Sequence, residues 1–180
     1  MRTHIVDMTT TFNDIPHIAT TLWYSGCNVK CDGCQNTVLE HFKYGMSLEE
    51  LEVKLKERRK MSDWIVHLGG NPLDSIDDVI AVSEIAKELG FQQFLYSGYD
   101  YSEFEKMFNS DIHRTLLRNI QYIKTGKYDS QYSKNNCQIE GVNYFFESYN
   151  QEVYKSKDVT WERYYGFDFN SKSIYGNLLI

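Results

Sequence analysis

The chain has 180 residues, 19 basic against 25 acidic side chains, a formal net charge of −6, and 42% hydrophobic and 15% aromatic residues. That composition excludes a disordered chain, and the lack of any Lys/Arg block argues against nucleic acid as a partner. No run approaches the roughly 18–20 apolar residues of a membrane span, and Met1-Arg2-Thr3-His4-Ile5-Val6-Asp7 has no signal-peptide core, so a cytoplasmic protein without a membrane partner is expected. At roughly 100–200 residues per domain, and without linkers or repeats, residues 1–180 read as a single domain.

In chain order, Ile18 to Tyr24 is β-branched and aromatic, lies between Pro16 and Ser25-Gly26, and reads as a strand running straight into three cysteines. Ser47-Leu48-Glu49-Glu50 is a capping box, and Leu48, Leu51 and Leu55 at helical spacing predict a helix over 48–60. Trp64 to Leu68 predicts a buried strand ended by Gly69-Gly70. Ser75-Ile76-Asp77-Asp78 predicts an N-cap at Ser75 and a helix closed by Gly90. Residues 91–96 and 120–124 read as strands, and 101–109 and 112–118 as helices. This alternation predicts an α/β fold of βαβ units with a largely parallel sheet. Beyond, Val142 to Phe146 reads as a strand, and the aromatic tail around Trp161, Tyr164, Tyr165, Phe167 and Phe169 as core or covering structure.

Cys27, Cys31 and Cys34 have the spacing C-x3-C-x2-C on one short loop. Clustered thiols in a reducing compartment read as a metal or redox site rather than a disulfide framework. Thiolates favour iron–sulfur clusters and zinc over hard cations. A 4Fe-4S cluster normally takes four cysteines, so three leave one iron open, which suits a reactive centre. The alternative, structural zinc with His41 as fourth ligand, requires C-x3-C-x2-C-x6-H, which is not a usual zinc-finger spacing. Cys137 stands alone and reads as an ordinary free thiol; His67, on an apolar strand, reads as a hydrogen-bonded core residue.

The three-cysteine motif after a first strand resembles the radical S-adenosylmethionine (SAM) superfamily. Within it the chain is similar to the activating proteins of anaerobic (class III) ribonucleotide reductases. The resemblance rests on Leu22-Trp23-Tyr24-Ser25-Gly26 before Cys27, on Cys34-Gln35-Asn36, on Leu68-Gly69-Gly70-Asn71-Pro72-Leu73 and on Leu95-Tyr96-Ser97-Gly98-Tyr99. Lys124-Thr125-Gly126-Lys127-Tyr128 and Ser148-Tyr149-Asn150-Gln151 look like the family's later segments. These motifs span about residues 18–152 and leave 153–180 as the aromatic tail.

The resemblance implies a compact partial (βα) barrel and a 4Fe-4S cluster on Cys27, Cys31 and Cys34. The amino and carboxylate groups of SAM would chelate the fourth iron. Reductive cleavage of SAM would then yield a 5′-deoxyadenosyl radical that takes a hydrogen from a glycine of a large glycyl-radical reductase subunit, with flavodoxin or ferredoxin as a one-electron donor. It also implies SAM contacts at Gly33, Gln35, Gly69, Gly70 and Ser97. Asn71 stands where the family carries an acidic residue for the SAM amino group, and can accept a hydrogen bond without bringing charge. Gln35 in place of an aromatic residue, Thr125 in place of Asp, and Phe12-Asn13-Asp14-Ile15-Pro16 in place of Asn-Gly-Pro-Gly mark a divergent member, consistent with a viral source. Two other readings stay open: a radical SAM enzyme acting on a small molecule, such as a deazaguanine-type carboxylate synthase, and a non-catalytic zinc or iron–sulfur module.

Overall fold

The computed structural model describes residues 1–133, 148–168, 170 and 173–176. Cys137, the strand expected over Val142 to Phe146, and Phe169 lie outside the described residues. An eight-stranded sheet runs in sequence order: β1 (Ile5–Thr11), β2 (Ala19–Tyr24), β3 (Trp64–Gly69), β4 (Gln92–Tyr96), β5 (Tyr122–Thr125), β6 (Glu152–Lys157), β7 (Thr160–Asp168) and β8 (Ser173–Tyr175). The helices are α1 (Leu48–Arg58), α2 (Ile76–Glu88), α3 (Tyr101–Met107) and α4 (Ser110–Asn119).

The α/β class holds, but the sheet is mixed and not largely parallel. Pairings β2 to β3, β3 to β4 and β4 to β5 are parallel, whereas β1 to β2, β5 to β6, β6 to β7 and β7 to β8 are antiparallel. The reason lies in the connections. Parallel neighbours need a long crossover, which α1, α2 and the α3–α4 pair supply, whereas short links join antiparallel strands. β6 turns into β7 through Asp158, at φ 52°, and Val159, a two-residue hairpin.

All four helices pack on one face of the sheet. Leu22, Ile65, Leu95 and Ile123 on that face meet Leu51, Leu55, Val79, Val82, Phe104 and Leu116 from the helices. The strand period of two sends the alternate residues Val66, Phe94 and Tyr122 to the opposite face. There they join Ile15, Ala19, Val153 and Tyr165, with no helical residue among the described ones. Trp161 and Tyr165 of the tail are buried, as expected of core.

The Ser47 capping box forms as expected: Ser47 Oγ accepts the Glu50 N–H at 3.2 Å, and Glu50 Oε2 accepts the Ser47 N–H at 2.7 Å. Ser75, in contrast, makes no capping bond, and its hydroxyl is buried without a partner. A 3-10 turn, Pro72–Ser75, already leads into α2, with the Asp74 N–H bonded to Asn71 O, so the chain is wound before Ser75 is reached. His67 is a satisfied core residue, as expected. Its Nε2 faces Gln93 Oε1 at 3.0 Å, and the Gln93 amide is fixed by donating to Ser83 O and Asn119 O, so Nε2 carries the proton. Nδ1 then accepts from the Tyr24 hydroxyl at 2.8 Å. Among the described residues no helix is long and apolar enough to cross a membrane.

Candidate functional site

Parallel strands deliver their carboxyl ends to one edge, and ligands of α/β proteins gather there. β2 ends at Tyr24, and the cysteine loop begins at once. Its base is stitched by Ser25 N–H to His4 O (2.9 Å), Gly26 N–H to Leu39 O (2.7 Å) and Cys27 N–H to Glu40 O (3.0 Å). The Ser25 hydroxyl donates to Lys43 O at 2.7 Å and accepts the Lys43 N–H at 3.0 Å. A tight turn closes Cys34 N–H onto Cys31 O at 3.3 Å, with Gly33 at φ +72°.

β3 delivers Gly69 and Gly70 against this loop. Gly70 N–H donates to Tyr24 O and Asn71 N–H to Gly26 O, both at 2.8 Å. A Cβ on Gly70 would stand 2.3 Å from Gly26 O and 2.9 Å from Leu39 O, so only glycine allows the β3 exit to lie on the loop. The pair of glycines therefore has a structural task, joining two strand ends, in addition to facing the cavity.

A cavity of about 230 Å³ opens at this edge. It is lined by Cys27, Cys31 and Cys34 and by the expected Gln35, Gly69, Gly70, Asn71 and Ser97. Gly33 is the exception. It does not line the cavity, and its open side faces the Tyr128 ring, 3.4 Å from where a Cβ would sit. Ser97 Oγ accepts the Tyr99 N–H at 3.0 Å, a local turn bond. Asn71 is 1% exposed, and its Oδ1 accepts the Gly98 N–H at 3.2 Å, which uses one of the two lone pairs of that oxygen. Its Nδ2 is buried without a partner.

Among the described residues no three His, Cys, Asp or Glu side chains are drawn together as a finished metal site. The three thiols share one cavity wall, and their surroundings suit sulfur ligation. Asn36 N–H donates to Cys34 Sγ at 3.3 Å, and Asn36 Nδ2 ties the loop to Gly69 O at 3.0 Å. Burial pushes the Cys31 thiol above its ordinary pKa, opposed by the Tyr128 backbone N–H and by Lys127. Three soft donors lining one cavity and a hydrogen-bonded sulfur among them fit an iron–sulfur cluster. His41 is exposed and does not line the cavity, so it is not placed as a fourth ligand for structural zinc.

The cavity also recruits residues not taken as site residues from sequence. Lys124 is 3% exposed, with its ammonium 4.5 Å from the Tyr96 ring centroid. Strand alternation from Tyr122 was the available signal, since it sets Lys124 on the helix-free face. Asp14 reaches the cavity from the β1–β2 connection, accepting from the Thr21 hydroxyl on Oδ2 and from the Tyr96 hydroxyl on its backbone oxygen. Gln151, whose Nε2 donates to Gly126 O at 3.0 Å, closes another side. Outside the wall, Asp74 ties the cysteine loop to the β4 exit by accepting the Asn28 N–H (2.8 Å) and the Tyr99 hydroxyl (2.6 Å).

The sequence family described as a 4Fe-4S single cluster domain matches residues 17–154. Over 90 residues the chain is 40% identical to a protein of Methanocaldococcus jannaschii named as a candidate glycyl-radical enzyme activating enzyme. That stretch covers 48% of this chain and 35% of the relative, so the chain spans about a third of the relative's length. No solved structure gives a significant match.

Proposed function

The chain belongs to the family of 4Fe-4S single cluster domains, and from that premise we propose that it is a radical SAM activase that generates a glycyl radical on a large partner subunit, of the anaerobic ribonucleotide reductase class. The name of the archaeal relative supports an activating role. The observation that carries the reading is a cavity at the strand carboxyl ends that gathers Cys27, Cys31 and Cys34 with Gly70, Asn71 and Ser97. A partial (βα) barrel is supported by the one-sided helix layer, since among the described residues the second cluster, on the other face of the sheet, contains no helical residue.

In this reading Cys27, Cys31 and Cys34 hold the cluster, and SAM lies against Gln35, Gly69, Gly70, Asn71 and Ser97, with Gly33 shaping the loop behind them. The bound cluster would supply, with an electron from flavodoxin or ferredoxin, the reductive cleavage of SAM whose product radical takes hydrogen from a glycine of the partner. The chain's own residues position and shield. The Asn36 N–H on Cys34 Sγ stabilises charge on sulfur and thereby tunes its potential. Trp23, Leu68 and Tyr96 give the wall apolar surface that excludes water from a reactive centre. Lys124 adds positive charge that offsets the thiolates.

The test is anaerobic reconstitution with iron and sulfide, followed by SAM and reductant with and without a candidate glycyl-radical subunit. Iron and sulfide in cluster stoichiometry, partner-stimulated SAM cleavage and a doublet glycyl radical signal are expected. Zinc without sulfide, or a cluster whose spectrum ignores SAM, would refute the proposal.

A further inference from the structure

Asp74 lies in the turn that leads from β3 to α2, where its N–H donates to Asn71 O at 2.9 Å. Its carboxylate joins the exits of two other strands. Oδ2 accepts the Asn28 N–H of the cysteine loop at 2.8 Å, and Oδ1 accepts the Tyr99 hydroxyl beyond β4 at 2.6 Å. The same two exits meet again nearby, since a Cβ on Gly98 would stand 2.9 Å from Val29 Cγ2. Tyr99 is in turn tied to the end of β5, its backbone oxygen accepting the Gly126 N–H at 2.8 Å. Burial, then the bond to Asp74 and the charges of Asp74 and Cys27, push the Tyr99 phenol above its ordinary pKa, so it stays a donor to the carboxylate. The Asn28 N–H belongs to the peptide that leaves Cys27, so Asp74 sets a negative charge one hydrogen bond from that peptide. Such a charge disfavours adding an electron to a thiolate-bound cluster, whereas the phenol draws part of the charge onto its own hydrogen bond.

We infer that Asp74 is a positioning residue that fixes the Cys27 end of the cysteine loop and lowers the reduction potential of the cluster bound there, with Tyr99 moderating its charge. The inference rests on the cluster reading above. It gives Tyr99, the last residue of the Leu95-Tyr96-Ser97-Gly98-Tyr99 motif, a task outside the cavity lining. On reduction the cluster gains one electron from the donor, and no bond is made or broken at Asp74 or Tyr99, so their effect is electrostatic. A lower potential makes the reduced cluster a stronger reductant, which suits the reductive cleavage of SAM.

Anaerobic redox titration with dithionite and mediators, read from the electron paramagnetic resonance signal of the reduced cluster, tests it on reconstituted wild type, Asp74→Asn and Tyr99→Phe without SAM. Asparagine keeps the shape and both bonds, with Oδ1 accepting the Asn28 N–H and Nδ2 donating to the Tyr99 hydroxyl, and removes the charge. At an ambient potential near the wild-type midpoint, its reduced-to-oxidised ratio should rise by about 3- to 10-fold, tenfold being about 59 mV for one electron. Tyr99→Phe leaves the carboxylate without its phenol and should lower the ratio by about 2- to 3-fold. A merely structural clamp would reduce iron content or urea stability in both variants without moving the two midpoints in opposite directions. An Asp74→Asn ratio within about twofold of wild type, or lower, overturns the tuning. An unchanged or raised ratio in Tyr99→Phe overturns the part given to the phenol, and decides the whole if Asp74→Asn holds no iron. Wild type that binds no cluster would instead refute the functional reading on which this rests.

Discussion

Gly70→Ala is the perturbation that separates a structural from a purely ligand-facing glycine. Gly70 is not at positive φ, so alanine suffers no backbone strain there and the cost is steric alone. The added Cβ would lie 2.3 Å from Gly26 O, where ordinary contact begins near 3.4 Å, so backbone must move by roughly 1 Å. The obstructing atoms are backbone, and three bonds depend on their position: Gly70 N–H to Tyr24 O, Asn71 N–H to Gly26 O and Gly26 N–H to Leu39 O. At about 0.5–1.5 kcal/mol each, their loss costs roughly 2–4 kcal/mol, a large part of the 5–15 kcal/mol that holds a typical domain. Urea unfolding of the cluster-free chain should show this loss, and iron and sulfide after reconstitution should fall below half of wild type. Gly33→Ala is the control: its Cβ meets only the Tyr128 ring at 3.4 Å, and the left-handed φ costs about 1–2 kcal/mol. A Gly70→Ala protein within about 0.5 kcal/mol of wild type and fully loaded would refute the reasoning.

Burial holds His67 neutral, with its pKa pushed down to about 4 against the bond to Gln93. The unfolded chain therefore binds a proton that the folded one refuses. This contribution to stability is complete above about pH 6.5 and is lost as pH falls toward 4, amounting to about 2 kcal/mol by pH 5. Urea titrations at pH 7.5 and 5 check it, and His67→Gln should flatten the difference. Cys27→Ser, Cys31→Ser and Cys34→Ser should each abolish stoichiometric iron and sulfide, whereas Cys137→Ser should load as wild type does. Ser47→Ala removes the α1 cap and should lower stability by about 1 kcal/mol while leaving cluster content unchanged.

The elements legible in the sequence were those whose cause is local. The capping box at Ser47, the helical leucine spacing and the glycine-ended strand at Trp64 carry their own instructions, and they appear where expected. β1 was missed because Ile5–Thr11 has few apolar residues and is a strand through pairing with β2. The antiparallel end, β6 to β8, was illegible for the same reason, since tyrosine-rich stretches suit core, strand and surface alike. The cysteine spacing located the site, but its polarity was hidden. The Asn71 amide offers both a donor and an acceptor, and the Gly98 N–H, 27 residues away, sets how it is turned. Asp14 and Lys124 were missed because their relation to the thiols is set by sheet order and not by a motif.

The mixed sheet bears on how the site is enclosed. Parallel strands β2 to β5 bring the cysteine loop, Gly70, Ser97 and Gly126 to one edge, but a parallel block alone leaves that edge open at its sides. Antiparallel β6 pairs Glu152 with Thr125, so Gln151 arrives at the carboxyl end of β5 and bonds Gly126 there. On the other flank, the antiparallel turn from β1 to β2 sends residues 12–18 across the helix-free face, where Ile15 packs in the second core and Asp14 meets Tyr96 and Thr21. The departures from a parallel sheet thus supply the cavity's side walls. The segment at Asn13-Asp14, which carries no cysteine and no glycine pair, lines the thiol-bearing cavity directly, so the shape of that cavity depends on it as well as on the C-x3-C-x2-C loop.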